Sequence, residues 1–199
     1  MAPRRLIVGM SGASGAIYGI RLLELLRPLD VETHLVMTRS AEVTIAHETD
    51  MKIAGVKALA DVWYGIDDIG AALSSGSFRT SGMVILPCSV RTVAELSTGI
   101  TGNLLTRAAD VVLKERRTLA VVVRETPLHA IHLRNLSALA ELGAIIAPPV
   151  PAFYARPESL QDMIDHTLGR VLDLFAIELG TVARWGESTG PKPKPRRRA

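Results

Sequence analysis

The chain predicts an α/β fold with a doubly wound, mostly parallel sheet, and three observations carry that prediction. Short apolar runs end in polar or glycine-rich loops, helix-period segments alternate with those runs, and no internal repeat interrupts the order. Alternation of this kind builds a Rossmann- or flavodoxin-like three-layer sandwich. Its ligands sit in the crevice at the carboxyl ends of the strands.

Leu6-Ile7-Val8 is the first strand, and a turn with Gly9, Gly12 and Gly15 three apart opens into the helical Ala16 to Leu23. Strand, glycine turn and helix together aim backbone N–H groups and a positive helix end at an anion. Ser11 and Ser14 can add hydroxyl donors. The order is G-x-x-G-x-x-G, not the G-x-G-x-x-G dinucleotide fingerprint, so a mononucleotide fits at least as well. A plain tight βα turn would look the same.

Glu32 to Met37 is the second strand, and Thr38-Arg39-Ser40 starts a helix running towards Glu48-Thr49-Asp50. Met51 to Ser81 is the least regular stretch. Gly82 to Leu86 is a buried strand that Pro87 should stop. Cys88 to Thr92 leads into a helix from Val93 to Ser97, and breaks at Gly99 and Gly102 precede the helical Asn103 to Arg116. Leu119 to Val123 is the next strand, followed by a helix over 128–142, a strand over 143–147 and a proline loop over 148–151. A long helix from Glu158 to about Leu179 completes the series, its apolar stripe (Met163, Ile164, Leu168, Val171, Leu172, Phe175) suited to core or interface.

A hydrophobic content of 48% in 199 residues argues against disorder and for one domain, over residues 1–186. Residues 187–199 hold five cations against Glu187 alone, a net +4 that leaves the other 186 residues at −1. This basic, proline-rich tail is expected to be a disordered extension, and the folded part gives no electrostatic reason to expect nucleic acid. The apolar runs are too short to span a bilayer, and the glycine turn cuts off a signal-like start. With a single cysteine, Cys88, these features predict a cytoplasmic protein.

Five strand ends carry polar sequence: GMSGASG, MTRS, PCSVRT, VRETPLH and APPVPAFY. Hydroxyl-rich turns with Arg91 and Arg124 favour an anion pocket there. Ser89 to Thr92 form a second anion cradle beside the glycine turn, and two cradles in one crevice suit a phosphate joined to a polar ring system, such as FMN. Glu125 emerges at the mouth of the sheet beside Arg124, as a proton handler or a structural ion pair. Glu48 reads as an ordinary solvated carboxylate, and Cys88 as packing. His129 and His132 share a helix face without companion ligands, so no metal site is expected. Arg107 and Lys114 are seven apart and share a helix face; with Tyr154 and Arg170 they could form a second phosphate site.

GMSGASGAIYG, the Glu48-Thr49-Asp50 helix end, SSGSFRTSGMVILPCS, RAADVVLKERR, VRETPLH and PPVPAFYARP occur in this order, and the set resembles the UbiX-type flavin prenyltransferases from about Leu6 to Gly186. The resemblance implies transfer of a dimethylallyl group from dimethylallyl phosphate to N5 and C6 of reduced FMN, without a metal. It implies that the prenylated FMN serves UbiD-type decarboxylases, including the one in ubiquinone synthesis. It implies a large homo-oligomer, typically a dodecamer, with the active site between subunits. Carried over by residue, Gly12, Ala13 and Ser14 would hold the flavin with Thr38, Ser89, Val90, Arg91, Thr92 and Arg124. Gly76, Arg107, Lys114, Tyr154 and Arg170 would surround the prenyl phosphate, and Glu125, Ser14 and Glu48 would handle protons.

Three departures stand out. Thr38 stands where serine is frequent, Val90-Arg91 where Met-Lys is frequent, and Ile69 where some members put tryptophan against the prenyl group. An FMN-dependent cysteine decarboxylase would share the sheet. It would be expected to show a Pro-Ala-Ser-Ala-Asn-Thr block and a catalytic histidine, whereas this chain has Pro87-Cys88-Ser89-Val90-Arg91-Thr92 and no histidine in a matching loop. A non-catalytic flavin-binding decarboxylase subunit is the other alternative, disfavoured by the cations at 107, 114, 124 and 170.

Overall fold

The computed structural model describes residues 4–180 together with 182, 184–185 and 189–190. It divides into two compact units, Met1–Pro149 and Val150–Ala199. Most of the basic tail lies outside the described residues.

In the first unit the elements run β1 (Arg4–Met10), α1 (Ala16–Leu26), β2 (Val31–Met37), α2 (Arg39–Glu48), α3 (Ile53–Lys57) and β3 (Val62–Tyr64). They continue as β4 (Gly82–Cys88), α4 (Val90–Ser97), α5 (Leu104–Lys114), β5 (Thr118–Val123), α6 (Ala130–Glu141) and β6 (Ile145–Ile146). Among the described residues six parallel strands form one sheet in the order β3-β2-β1-β4-β5-β6. The order reverses between β1 and β4, and such a switch point opens a crevice beyond the strand ends.

Alternate side chains leave the sheet on opposite faces. Ile7, Val36, Met83, Ile85 and Val121 pack against Leu105, Ala108, Ala109 and Val112 of α5 in one cluster. Their neighbours Leu6, Val8 and Leu35 are buried too, as are Leu22, Leu23 and Leu26 of α1. A sheet buried on both faces needs near-continuous apolar strands, which is why the sequence shows runs instead of alternation.

The structure corrects three expectations. The irregular stretch 51–81 contains α3 and the edge strand β3, which pairs with β2 from His34 to Val36. Pro87 does not end its strand: β4 runs to Cys88, and the pairing with β5 shifts register between Ile85 and Cys88. A proline has no N–H to donate, and an irregular register is where a sheet tolerates one. In the second unit the long helix stops early, as α7 (Leu160–Asp173), with Ser159 and Asp162 forming a capping box at its start. Of its apolar stripe, Ile164, Leu168, Val171, Leu172 and Phe175 are buried in the chain.

Candidate active site

A cavity of about 480 Å³ lies at the carboxyl ends of β1, β2 and β4, lined by Gly12, Thr38, Ser40, Ser89 to Thr92, Asn103 and Glu125 among others. That size accommodates a mononucleotide-scale ligand. Two helices begin at it. The Thr38 hydroxyl caps α2 by accepting from Ala41 N at 3.1 Å, and the Ser89 hydroxyl caps α4 by accepting from Thr92 N at 3.3 Å. Each cap satisfies one first-turn amide, and the remaining amides at a helix start, here those of Val90 and Arg91 in α4, are suited to an anion. Gly12 approaches α2 so closely that a Cβ would collide with Ser40, its backbone carbon lying 3.2 Å away. Glycine is required there for the turn to lie against the helix start.

The glycine turn itself works differently from the sequence expectation. The first amides of α1, Gly15 N and Ala16 N, both donate to Glu48 Oε2 at 2.8 Å. The anion at this helix end is the protein's own carboxylate, delivered from the end of α2, so Glu48 is not an ordinary solvated charge. Burial pushes its carboxyl up, yet the Ser14 hydroxyl, the Ala16 and Gly15 amides and the Arg124 charge together hold it below the ordinary glutamate range. Ser14, Glu48 and Arg124 are thereby brought into one electrostatic group.

Ser11 is also committed within the protein. Its buried hydroxyl donates to Pro87 O at 3.1 Å and accepts from Ser89 N at 2.8 Å. This ties the end of β1 to the cap of α4, so Ser11 shapes the pocket instead of adding a donor to it. Arg124 and Glu125 are exposed in the single chain. The Glu125 carboxylate accepts from Thr126 N at 3.0 Å. Cys88 is wholly buried, and burial pushes its thiol far up, which removes it as a nucleophile at neutral pH. Sequence reasoning missed Asp67 and Asn103 as pocket-lining residues; Asn103 had a signal, since Asn103 and Thr106 form a capping box at the start of α5.

The expected prenyl-phosphate residues of this unit lie elsewhere. Helix α5 begins beside the pocket and descends to the amino edge of the sheet, so Lys114 stands about 16 Å of helix away from Asn103. Gly76 is beside it and beside Glu115: a Cβ on Gly76 would collide with the Glu115 carboxylate and come within 2.8 Å of Lys114 Nζ. Lys114 also pairs with Glu115, and Arg107, one heptad earlier, pairs with Asp110 at 2.8 Å. The structure thus brings Gly76 and Lys114 together and separates them from Ser89 and Glu125 within one chain.

In the second unit Tyr154 meets the His166 and Trp185 rings edge-on at 5.6 and 5.7 Å. Arg170 donates to Asp173 at 2.6 Å. Among the described residues no cluster of three or more His, Cys, Asp or Glu side chains could hold a metal ion.

A family model described as Flavoprotein matches residues 1–172. The flavin prenyltransferase UbiX of Escherichia coli (strain K12) is 60% identical over 185 residues, spanning 92% of this chain and 98% of its own. A crystal structure of a UbiX protein in complex with FMN and dimethylallyl pyrophosphate matches with a TM-score of 0.90 at 52% identity, over 92% of this chain and 97% of that one. A dodecameric FMN-dependent UbiX-like decarboxylase from Escherichia coli O157:H7 matches with a TM-score of 0.89 at 49% identity, over 91% and 98%.

Proposed function

This chain belongs to the UbiX flavin prenyltransferases, and from that premise we propose that the pocket between the α2 and α4 starts holds FMN while Gly76, Arg107 and Lys114 of another copy close it over the prenyl phosphate. The enzyme makes prenylated FMN. Reduced FMN supplies the accepting N5 and C6, and the donor is dimethylallyl phosphate; the solved relative with bound pyrophosphate supports a dimethylallyl group carried on phosphate.

The observation that carries this reading is the pair of capped helix starts on one cavity, with Glu125 at its mouth. Val90 and Arg91 amides, with the Thr38 and Ser89 caps, fit a flavin phosphate, and Gly12, Ala13, Ser14, Thr92 and Arg124 border the ring. Ionised Glu48 accepts the N5 proton through the Ser14 hydroxyl that is hydrogen-bonded to it, and Glu125 takes up the C6 proton released as the new ring closes, balancing the proton that the dimethylallyl double bond gains in the same closure. Lys114 and Arg107 stabilise the leaving phosphate by charge, work that a metal ion performs in other prenyl transfers. The resemblance adds Tyr154 and Arg170 to the phosphate ligands.

Separation of the two residue groups within one chain requires an assembly, and the dodecameric relative supports one. The product is consumed by a UbiD-type decarboxylase. Residues 1–186 act as one functional domain, and the enzyme works in the cytoplasm; no described helix is long and apolar enough to cross a membrane. The test is anaerobic incubation with reduced FMN and dimethylallyl phosphate, followed by the mass of the released flavin. A flavin heavier by one prenyl unit is expected; unmodified FMN from protein that had bound it would overturn the reading.

A further inference from the structure

The loop before β4 is held from two sides at the amino edge of the sheet. Arg117 Nη1 donates to the Phe78 carbonyl and Nη2 to the Gly76 carbonyl, each at 2.7 Å. The Phe78 ring is seated in turn. The Arg5 guanidinium lies 4.9 Å over its centroid, and the buried His34 ring meets it edge-on at 5.3 Å. His34 is fixed by the Tyr64 hydroxyl and the Glu32 carboxylate, both at 2.9 Å.

We propose that Arg117 is a positioning residue for the prenyl-phosphate subsite, its planar fork fixing the Gly76 and Phe78 carbonyls so that the Gly76 backbone lies against the Lys114–Glu115 pair. The proposal rests on the reading that Gly76 and Lys114 meet the donor phosphate. A guanidinium suits the task because its N–H donors sit in a rigid fork that satisfies two acceptors at once, whereas a lysine is a point donor. Engaging the two carbonyl oxygens also neutralises dipoles that would oppose an anion approaching Lys114. With its side chain only 18% exposed, and its cationic head bound to two carbonyls and 4.0 Å from the Glu115 carboxylate, Arg117 acts through the loop and not on the phosphate.

The experiment is steady-state kinetics of the assembled full-length enzyme with dimethylallyl phosphate, beside FMN affinity measured by titration. Arg117→Ala is expected to raise the donor KM about tenfold or more, the loss of charge-assisted hydrogen bonds. The rate at saturating donor and the FMN Kd should each stay within about twofold. Arg117→Lys should recover only part of the donor KM, because one ammonium cannot span both carbonyls. Should Arg117→Ala fail to fold, Phe78→Leu loosens the same loop from its other side and should raise the donor KM about threefold. Unchanged donor KM in Arg117→Lys and Phe78→Leu, or FMN Kd rising in step with it, would overturn the proposal. Lys114→Ala separates the two levels: a raised donor KM there with none in the Arg117 variants removes Arg117 alone. An unchanged donor KM in Lys114→Ala removes the phosphate reading and this proposal with it.

Discussion

The carboxyl edge of the sheet offers backbone: the starts of α2 and α4, each capped by a hydroxyl, with first-turn amides left for an anion. The amino edge offers side-chain charge: Lys114 paired with Glu115, and Arg117 on two carbonyls. Amides at a helix start are fixed by the fold and need no ordering when a ligand arrives. Charged heads on flexible stems need neighbours to hold them in place, and salt screens those that are exposed, as Lys114 is. A flavin held in place while its ring reacts suits the first construction, and a phosphate that is released by the reaction suits the second.

The largest expected effect separates the two edges by ligand. Lys114→Ala should raise the KM for dimethylallyl phosphate more than about tenfold and leave FMN titrations unchanged, since a charge-assisted contact is lost at one edge only. A parallel loss of FMN affinity would dissolve the distinction. Ser89→Ala should do the reverse, weakening FMN several-fold through loss of a cap worth about 1 kcal/mol, with the donor KM held. Isothermal titration and initial rates on the same preparation read both.

A smaller effect concerns the carboxylate at the start of α1. Because the Glu48 carboxyl is held below its ordinary range in the folded protein, it contributes stability above the ordinary glutamate value of 4.5 and loses it as pH falls through its depressed folded value. Thermal midpoints measured from pH 6 down to about pH 3 should fall more steeply for the wild type than for Glu48→Gln. Parallel slopes would mean that the contact with Gly15 and Ala16 carries no charge-dependent stability.

Much of the carboxyl edge was legible in the sequence because it is locally encoded. Thr38 and Ser89 sit one residue before helical periods, after apolar strands, and that order alone implies amides at a strand end. The glycine turn misled because its partner, Glu48, lies thirty-odd positions away, and only the packing of α2 beside α1 brings the carboxylate to those amides. Strand β3 was hidden for a similar reason. It has three residues, and the preceding Asp61 is fixed by accepting from Thr33 N and Thr33 Oγ1 of β2 at 2.7 and 2.8 Å, a contact no local pattern announces. Pro87 was misread because a proline's tolerance depends on the register of the neighbouring strand. Gly76 was named by resemblance alone; helical spacing put Arg107 and Lys114 on one face as a possible phosphate site but could not say at which edge of the sheet Lys114 lies.

If one working site takes its flavin edge from one copy and its phosphate edge from another, mixing subunits will restore activity that neither parent has. Glu125→Gln impairs the first edge and Lys114→Ala the second, so each homo-oligomer should be slow. Co-expressed in equal amounts, the two should form mixed assemblies in which about a quarter of the sites pair two intact edges, if the interface is a regular one between copies. Prenylation recovered to about that fraction of the wild-type rate is the predicted result. A rate no higher than the mean of the two parents would place both edges in one chain and contradict the account.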